Sequence, residues 1–384
     1  MNILITGGAG FIGSALINEL FNNIPCHITV LDALTPQIHG TIPEDSYLYQ
    51  SIFNKCSFLK GDIRNYKMVE RAIEDCDHIF HLAAETGTGQ SMYQINQYNE
   101  VNIMGTSNLF QAISSNKVNI KKFILASSRS VYGEGKYLCS EHGVVYPSGR
   151  TVEQMRSGDF NVYCPICHEK LQLVPTDEAS KISPKSLYAY TKYAQEQMVE
   201  TMCSAMDIDF TIFRFQNVYG VGQSLKNPYT GILSVFSSLL LENEPINIFE
   251  DGNESRDFIN VKDVASAVIQ SLSCPETNGE IINIGSGKGT SVLEIASILK
   301  HLYCSKSEIH ITGDFRIGDI AHNIADLDKA KRLLGFQPSI DLKDGLHEFA
   351  KWVQKQQTDN SNYESSLNEM EQSGMFIRGR QTLE

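Results

Sequence analysis

Residues 3–13 read Ile-Leu-Ile-Thr-Gly-Gly-Ala-Gly-Phe-Ile-Gly, and this stretch decides the fold. Residues 2–6 form an apolar run of strand length, and residues 11–20 place apolar side chains at helical spacing. Between them, Gly7, Gly10 and Gly13 recur at every third position. Such a turn lets the backbone approach a pyrophosphate, whose charge is attracted by the free N–H groups of the helix. The spacing is GxxGxxG rather than GxGxxG, and a tight turn can also use glycine without any ligand.

An acidic residue at the end of the second apolar run sharpens this interpretation. Residues 27–31 are followed directly by Asp32, about 20 residues beyond the glycines. A carboxylate there accepts hydrogen bonds from an adenosine ribose and repels a 2′-phosphate. The alternative is an ordinary aspartate that begins a loop. With the glycine turn upstream, the sequence predicts NAD rather than NADP.

Strands and helices alternate through the first half of the chain, with further strand-like runs at 56–60, 78–81, 122–127 and 209–214. This alternation predicts an α/β fold with a doubly wound parallel sheet of Rossmann type. Ligands bind such sheets beyond the carboxyl ends of the strands. The turns that follow the strands should therefore share one crevice. They are Gly7 to Gly13, Asp32, Asp62-Ile63, Ala83-Ala84, Ser127-Ser128 and Gln216-Asn217.

The second half of the chain is less regular, and it predicts a smaller C-terminal substrate lobe. We divide the chain into a Rossmann NAD-binding domain (1–133, 179–217 and about 257–284), an inserted zinc module (134–178) and a substrate lobe (218–256 and 285–356). Residues 357–384 are rich in Asn, Ser, Glu and Gln, and this polar composition predicts a flexible tail.

Composition excludes several classes of function. The 384 residues carry a formal net charge of −13, which argues against binding to nucleic acid or to an anionic membrane. No apolar run reaches the ~20 residues that span a bilayer, and no secretory leader precedes the first strand. Nine cysteines, an odd number, do not indicate a disulfide framework. We therefore expect a cytoplasmic protein.

A tyrosine and a lysine four residues apart predict the reacting groups. Tyr188 and Lys192 would share one face of a helix. A phenol with a pKa near 10 needs a neighbouring positive charge to act as a base at neutral pH, and Lys192 and an oxidised nicotinamide would supply it. Ser128, at the end of a strand, would share the proton of the substrate hydroxyl. The alternative is an exposed aromatic–lysine pair, because this spacing is common by chance.

The insertion between Ser128 and Tyr188 contains two close pairs of soft ligands. They are Cys139-x-x-His142 and Cys164-x-x-Cys167, with His168 as a substitute ligand. Two such pairs are typical of a closed tetrahedral zinc site. The alternative is four unrelated residues. We expect a structural Zn²⁺ that stabilises the insertion as a small lobe over the mouth of the active site.

Ordered motifs over residues 1 to about 350 resemble the extended short-chain dehydrogenase/reductases, in particular the NAD-dependent nucleotide-sugar epimerase/dehydratase family. The matching segments are Thr6-Gly-Gly-Ala-Gly-Phe-Ile-Gly13, Asp32, Gly61-Asp-Ile-Arg64, His81-Leu-Ala-Ala84, Asn102 with Gly105-Thr106, Ser127-Ser-Arg-Ser-Val-Tyr-Gly133, Tyr188-x-x-x-Lys192, Arg214-Phe-Gln-Asn-Val-Tyr-Gly220, Arg256-Asp-Phe-Ile259 and Arg316-Ile-Gly-Asp319.

The resemblance implies a role for each matched position. Ser128, Tyr188 and Lys192 would be catalytic, with Lys192 also holding the nicotinamide ribose. Asn217 would contact the nucleotide sugar, and Arg256 and Arg316 would clamp its diphosphate. The positions implied for NAD are Gly7, Gly10, Phe11, Ile12, Gly13, Asp32, Asp62, Ile63, Leu82, Ala83, Ala84, Asn102, Ser127, Tyr188, Lys192 and Gln216; those for the substrate are Ser128, Asn217, Arg256, Arg316 and Asp319. The family also implies a homodimer.

The reaction expected from the resemblance is 4-epimerisation with NAD that stays bound. Dehydratases of the family carry an Asp-Glu pair after the catalytic hydroxyl, whereas this chain has Arg129 and Ser130. Residues 127–135, 164–167 and 222–233 resemble epimerases that convert dTDP-L-rhamnose to dTDP-6-deoxy-L-talose for surface polysaccharides. The alternatives are a UDP-hexose 4-epimerase, an NAD(P)-dependent reductase of a 4-keto nucleotide sugar, and a non-enzymatic NAD-binding regulator.

Overall fold

The computed structural model describes residues 1–225, 231–356 and 361–379. The strands of these residues are, in chain order, β1 (Asn2–Thr6), β2 (His27–Asp32), β3 (Ser57–Lys60), β4 (His78–His81), β5 (Lys122–Ser128), β6 (Tyr137–Cys139), β7 (Gly143–Val145), β8 (Gln172–Leu173), β9 (Asp209–Phe215), β10 (Asn217–Tyr219), β11 (Ile246–Ile248), β12 (Ser255–Asn260), β13 (Glu280–Ile284), β14 (Gly289–Ser291), β15 (Ile309–Ile311), β16 (Phe315–Arg316), β17 (His322–Asn323) and β18 (Phe376–Ile377).

The α-helices are α1 (Phe11–Asn23), α2 (Pro36–His39), α3 (Tyr47–Ile52), α4 (Tyr66–Ala72), α5 (Thr88–Ser91), α6 (Ile95–Tyr98), α7 (Gly105–Asn116), α8 (Val152–Arg156), α9 (Leu187–Met206), α10 (Ile232–Glu242), α11 (Val261–Gln270), α12 (Val292–Tyr303), α13 (Asp328–Leu334), α14 (Leu342–Val353) and α15 (Ser361–Gln372). A π-helical stretch, Asn99–Met104, joins α6 to α7, and single 3₁₀ turns form at Pro43–Asp45, Arg129–Tyr132, Ser271–Ser273 and Pro275–Thr277. No helix in the described ranges has the length and apolar character needed to cross a bilayer.

Seven parallel strands form the central sheet, in the order β13-β9-β5-β4-β1-β2-β3. The sheet confirms the predicted doubly wound, Rossmann-like fold. Strands β1 and β5 are buried along almost their whole length, because helices cover both faces of the sheet. Since all seven strands run the same way, their carboxyl ends share one edge. Thr6 lies there between Leu31 and His81, and Ser128 lies beside Phe215.

Two apolar layers hold the helices against the sheet. On one face, α1 packs on α11, with Leu16 and Val264 in the buried cluster. On the other face, α4 and α9 both pack against α7, and Leu109 and Val199 are fully buried there. These layers fix the positions of the strand ends, which carry the candidate site.

Two smaller units lie outside the central sheet. Helices α10, α12 and α14 pack with β11 and β15 into a separate core that contains Phe236, Leu299 and Phe349. The insertion 134–178 contains a small antiparallel sheet in the order β7-β6-β8. The segments predicted to form a substrate lobe and an insertion thus each contain a sheet and a buried apolar cluster of their own.

The C-terminal segment differs from the sequence expectation. A flexible tail is predicted for residues 357–384, but residues 361–372 form α15 and residues 376–377 form β18, which pairs with β16. The polar composition misleads here because Leu367, Met370 and Phe376 are enough to form a small buried cluster. The described ranges leave out residues 357–360 and 380–384 of the predicted tail. They also leave out residues 226–230 of the motif at 222–233.

Candidate functional site

A cavity of about 680 Å³ opens along the carboxyl edge of the sheet. It brings together most of the residues predicted to bind cofactor or to react. Those that line it are Gly7, Gly10, Phe11, Ile12, Gly13, Asp32, Asp62, Ile63, Leu82, Ala83, Ala84, Ser127, Ser128, Tyr188, Lys192, Gln216 and Asn217. Asn102, Arg256, Arg316 and Asp319 do not belong to this lining.

The glycine turn has the geometry of an anion site. Gly7 has a φ of +70°, and a Cβ there would lie 2.7 Å from the backbone nitrogen of Ala83. A Cβ on Gly13 would lie 2.4 Å from the carbonyl oxygen of Gly7, so neither position accepts a side chain. Gly10 caps α1 without a side-chain hydrogen bond, and the first turn of the helix has no acidic residue. The N–H groups at this helix end therefore favour an anionic ligand in the cavity.

Asp32 ends β2 at the wall of the cavity. Its carboxylate accepts the N–H of Ala9 at 2.9 Å and that of Leu34 at 2.8 Å, one on each oxygen. Burial raises the pKa of Asp32, whereas these hydrogen bonds and nearby His39 act in the opposite direction. Each carboxylate oxygen has a lone pair left for a further donor. The side chain is thus oriented by the backbone and still able to accept hydroxyl groups.

Asn102 was predicted to bind the cofactor, but it does not line the cavity. Its side chain is fully buried behind the cavity. Its Oδ1 accepts the Glu85 N–H at 2.8 Å, and its Nδ2 donates to the Glu85 carbonyl at 3.1 Å and to Thr191 Oγ1 at 2.9 Å. Asn102 therefore fixes the loop after β4 to helix α9 and does not face the cavity.

The reacting residues converge from two elements. Ser128 ends β5, where its Oγ accepts the Ser130 N–H at 3.2 Å. Tyr188 lies in the first turn of α9, whose N-cap Ser186 accepts the Ala189 N–H. Burial raises the pKa of Tyr188, and a hydrogen bond with Ser128 and the charge of Arg129 oppose that rise. The serine and the phenol are therefore neighbours in the lining of the cavity.

Lys192 follows one turn later on α9, and its nearest partner is another side chain of the same helix. Its Nζ donates to Gln195 Oε1 at 2.8 Å, and Gln195 in turn donates to Thr106 at 2.7 Å. Burial lowers the pKa of Lys192 to about 7, with the Glu196 carboxylate acting against it. The amine is held at the cavity wall by the protein itself.

Arg129 is a site residue whose role the sequence did not predict. It follows Ser128 directly, and its Nε donates to Asn217 Oδ1 at 2.7 Å. Burial and the charge of Arg256 lower the pKa of Arg129 to about 10, and Asp319 and Tyr188 act in the opposite direction. Arg129 therefore links the predicted diphosphate residues to the reacting phenol. Its place after the strand-end serine was the only signal in the sequence.

A buried ion pair supports the reacting residues from behind. Arg214 donates to both oxygens of Glu196, at 3.0 and 2.7 Å, and Ser127 donates its hydroxyl to the same carboxylate. Arg214 also donates to the Tyr132 hydroxyl at 2.9 Å. Ser127 was predicted to contact the cofactor, but its hydroxyl points into this network. Glu196 and Arg214 lie 18 positions apart in the chain, so no local pattern indicates the pair.

Arg256, Arg316 and Asp319 form a second charged group beside Arg129. Arg256 donates to the carbonyls of Ser255 and Ala321 and to Asp319 Oδ1, the last at 3.0 Å. Burial raises the pKa of Asp319, but the surrounding arginines outweigh it and hold that pKa below its ordinary value. The Arg316 guanidinium lies over the ring of Phe249, 5.1 Å from its centroid. The structure thus brings three of the five predicted substrate residues together.

The four predicted metal ligands lie together in the insertion. Ligand atoms of Cys139, His142, Cys164 and Cys167 are all within 4.8 Å of one another. Cys139 Sγ is 3.6 Å from Cys167 Sγ and 3.5 Å from His142 Nδ1, and Cys164 Sγ is 3.8 Å from that nitrogen. A tetrahedron with zinc–sulfur bonds of about 2.3 Å has sulfur–sulfur edges of about 3.8 Å. The donor set and its spacing therefore fit a tetrahedral Zn²⁺.

Comparison with known proteins points in the same direction as the geometry. A sequence model described as the NAD dependent epimerase/dehydratase family matches residues 3–150 and 164–285. The chain is 35% identical over 354 residues to a dTDP-L-rhamnose 4-epimerase of Burkholderia thailandensis, which covers 91% of this chain and 94% of the relative. It is 32% identical over 353 residues to a putative UDP-glucose 4-epimerase of Methanocaldococcus jannaschii, with 91% and 98% covered.

A solved structure has the same fold over nearly its whole length. It is the UDP-glucuronic acid 4-epimerase from Bacillus cereus, in complex with UDP-glucuronic acid and NAD. Its TM-score to this chain is 0.76 at 27% sequence identity, and the match covers 92% of this chain and 99% of that one.

Proposed function

The chain belongs to the NAD-dependent epimerase/dehydratase family, and from that premise we propose that it is a nucleotide-sugar 4-epimerase that keeps its NAD bound. The observation that carries this proposal is that Tyr188 and Ser128 are neighbours in the cavity that the glycine turn and Asp32 also line. Arg129 and Ser130 stand where dehydratases of the family have a carboxylate pair. The site therefore has a base for a hydroxyl proton, whereas positions 129 and 130 lack the carboxylates that would act in the elimination of water.

The residues that line the cavity fit NAD. The helix end at Gly10 would receive the pyrophosphate, Asp32 the adenosine ribose, and Lys192 the nicotinamide ribose. When bound, NAD supplies a hydride acceptor and donor for the C4 carbon of the sugar. Because Asp32 repels a 2′-phosphate, we propose NAD rather than NADP.

Tyr188 would take the proton from the 4-hydroxyl as C4 is oxidised. Ser128 would hold that oxygen through a hydrogen bond, and the charge of Arg129 favours the phenolate that this step needs. Tyr188 would later return the same proton to the oxygen of the 4-keto sugar, after the ring has turned its other face to the nicotinamide. The diphosphate would stay at Arg256, which lies beside Arg129, and at Arg316, which shares Asp319 with Arg256.

For the substrate, we propose conversion of dTDP-L-rhamnose to dTDP-6-deoxy-L-talose. The 35% identity to the Burkholderia thailandensis enzyme supports this choice, together with the motifs at 127–135 and 164–167. The alternative is a UDP-hexose 4-epimerase, which the Methanocaldococcus jannaschii relative supports. A reductase of a 4-keto sugar is the third candidate.

The experiment that separates these candidates adds no cofactor. Purified protein is incubated with dTDP-L-rhamnose, and separately with UDP-glucose, while NMR follows the sugar signals. We expect the C4 epimer of dTDP-L-rhamnose to appear without a change in NADH absorbance. Conversion of UDP-glucose alone would favour the UDP-hexose epimerase. Turnover that requires NADH or NADPH and a keto sugar would contradict an epimerase.

We further propose that the cluster of Cys139, His142, Cys164 and Cys167 binds a structural Zn²⁺. The support is the spacing of the ligand atoms and the presence of two buried thiols among them. Four protein ligands leave no open coordination position, and none of them lines the cavity, so the ion would stabilise the insertion and take no part in the reaction.

We also propose that the protein is a cytoplasmic homodimer. None of the nine cysteines forms a disulfide, which fits a reducing compartment. Helices α7 and α9 leave a surface groove of about 500 Å³ that includes Phe110, Met198 and Met202, and a second copy of the chain would cover it. Light scattering on the purified protein should give twice the mass of one chain, and a monomer mass would contradict this.

A further inference from the structure

The C-terminal segment, residues 361–379, docks on the strand that carries Arg316. In the antiparallel pair of β16 and β18, Phe376 lies opposite Arg316. The Ile317 N–H donates to the Met375 carbonyl at 2.9 Å, which extends the pairing. The segment is therefore tied by its backbone to one of the predicted diphosphate residues.

Aromatic contacts connect Phe376 with the guanidinium of Arg316. The ring of Phe376 lies 5.1 Å from the ring of Phe249, and the Arg316 guanidinium lies 5.1 Å from the same Phe249 ring. Phe376 is almost completely buried in this cluster. Phe249 thus supports the arginine, and Phe376 supports Phe249.

Arg316 has donor capacity left for a ligand. Its Nε is buried and has no hydrogen-bond partner among the described residues. A buried guanidinium nitrogen without a partner is unusual in proteins, and phosphate oxygens match its fork of donors. This group therefore points to an anionic ligand at the place where the aromatic cluster holds it.

The same segment also reaches the NAD-binding domain. Met370 of α15 lies against Gly89, where an added Cβ would be 3.3 Å from the Met370 sulfur. The Tyr93 hydroxyl donates to Glu369 at 3.4 Å. The segment thus connects the strand that carries Arg316 with helix α5 and the neighbouring Tyr93.

We propose that Phe376 is a positioning residue for nucleotide-sugar binding: through Phe249 it holds Arg316 where the guanidinium meets the diphosphate of the substrate. This inference rests on the proposed function, in which Arg316 contacts that diphosphate. It assigns a role in substrate binding to a segment whose composition predicts only a flexible tail.

The test measures binding of dTDP and of UDP to the full chain by isothermal titration calorimetry. Phe376→Leu keeps an apolar side chain but removes the ring that supports Phe249. We expect it to weaken nucleotide binding roughly fivefold, since the cation–π contact of Phe249 with Arg316 is modest. Phe376→Tyr keeps the ring and should bind as the wild type does. Ile377→Ala, in the same strand but outside the aromatic cluster, is the matched control. The NAD content and melting temperature of each variant report whether it is folded.

A double-mutant cycle with Arg316→Ala then tests the route of the effect. If Phe376 acts through Arg316, Phe376→Leu should weaken binding no further in the Arg316→Ala background. An undiminished effect in that background, or wild-type binding by Phe376→Leu itself, would overturn the inference and leave the proposed function standing. Failure of the wild-type protein to bind either nucleotide would overturn both.

Discussion

The phenol of Tyr188 is subject to opposing influences in this site. Burial raises its pKa, while the hydrogen bond with Ser128 and the charge of Arg129 lower it. The lysine four residues later is hydrogen-bonded to Gln195. Among the described residues, the positive charge that lowers the pKa of Tyr188 is thus that of Arg129. The sequence motif predicts Lys192 for this role.

Replacing Tyr188 with phenylalanine should remove the base and leave the cavity intact. We expect a loss of turnover of about a thousandfold or more, because general-base catalysis contributes about 10²–10⁴-fold. NAD content should stay at the wild-type level, since only a hydroxyl is removed. The NMR assay and the NAD absorbance of the denatured protein measure the two effects. A variant that still turns over at the wild-type rate would refute the assignment of the base.

Replacing Arg129 with glutamine should change the pH dependence of the reaction. The phenolate is the active base, so activity rises as pH increases through the pKa of Tyr188. Without the charge of Arg129 that pKa is higher, and the rising limb of kcat against pH should move to higher pH. Arg129→Lys retains the charge and should move the limb less. An unchanged limb in both variants would show that Arg129 does not act on the phenol.

Helix α9 is the element that assembles the site. Tyr188, Lys192, Gln195 and Glu196 lie at helical spacing, so one face of the helix presents the base, the amine and the carboxylate that pairs with Arg214. The helix is fixed at Asn102 through Thr191 and at β9 through Arg214. The sequence predicts the helix and its first two functional residues. The other two become meaningful only when Thr106 of α7 and Arg214 of β9 are packed against the helix.

The insertion is the element whose stability should depend on a metal. Its sheet has strands of only two or three residues, too short to be stable without other support. The purified protein should contain about one equivalent of zinc per chain, and Cys164→Ser should lower both the zinc content and the melting temperature. Metal analysis and thermal unfolding measure these quantities.

Cys304→Ser is the matched control for that experiment, because this thiol is exposed and lies outside the cluster. It should leave both quantities unchanged. Zinc below about a quarter of an equivalent in clean wild-type protein would end the proposal.

At the scale of the whole molecule, Arg150 connects the insertion with the substrate lobe. Its side chain is only 2% exposed, and it pairs with Glu250 and lies 3.9 Å from Glu134. It also donates to the Asp319 carbonyl at 3.2 Å. Burial raises the pKa of both glutamates, and Arg150 opposes the rise in each. The insertion is therefore held to the lobe by a buried charge next to the diphosphate residues.

Arg150→Met should destabilise the protein by about 3–5 kcal/mol near neutral pH, because it leaves buried carboxylates without their partner. In the variant the pKa values of Glu134 and Glu250 rise further above their unfolded values. Folding then favours the protonated form, and stability is lost as pH increases through those pKa values. The loss of melting temperature should thus be larger at pH 8 than at pH 5. Arg156→Met, at an exposed arginine of the same insertion, is the control, and an equal loss at both pH values would contradict the argument.

The local features of this protein follow from its sequence because each depends on neighbours in the chain. Each of these features is a pattern of a few residues. They are the Gly7–Gly13 turn, the buried parallel strands, the tyrosine–lysine spacing on one helix and the two pairs of metal ligands. Parallel strands then place their carboxyl ends at one edge, so the cavity and its principal residues are predicted as well. The family resemblance extended this prediction to Arg256, Arg316 and Asp319, which the structure brings together.

Tertiary structure alone decided the contacts that join distant parts of the chain. Arg129 meets Asn217 across 88 positions, Arg150 approaches Glu250 across 100, and the C-terminal strand pairs with the strand of Arg316. None of these leaves a periodic or compositional signal. Their cause is packing: a charge enters the interior only where another element brings its partner, and a polar segment folds only where a matching strand edge and apolar surface are already in place.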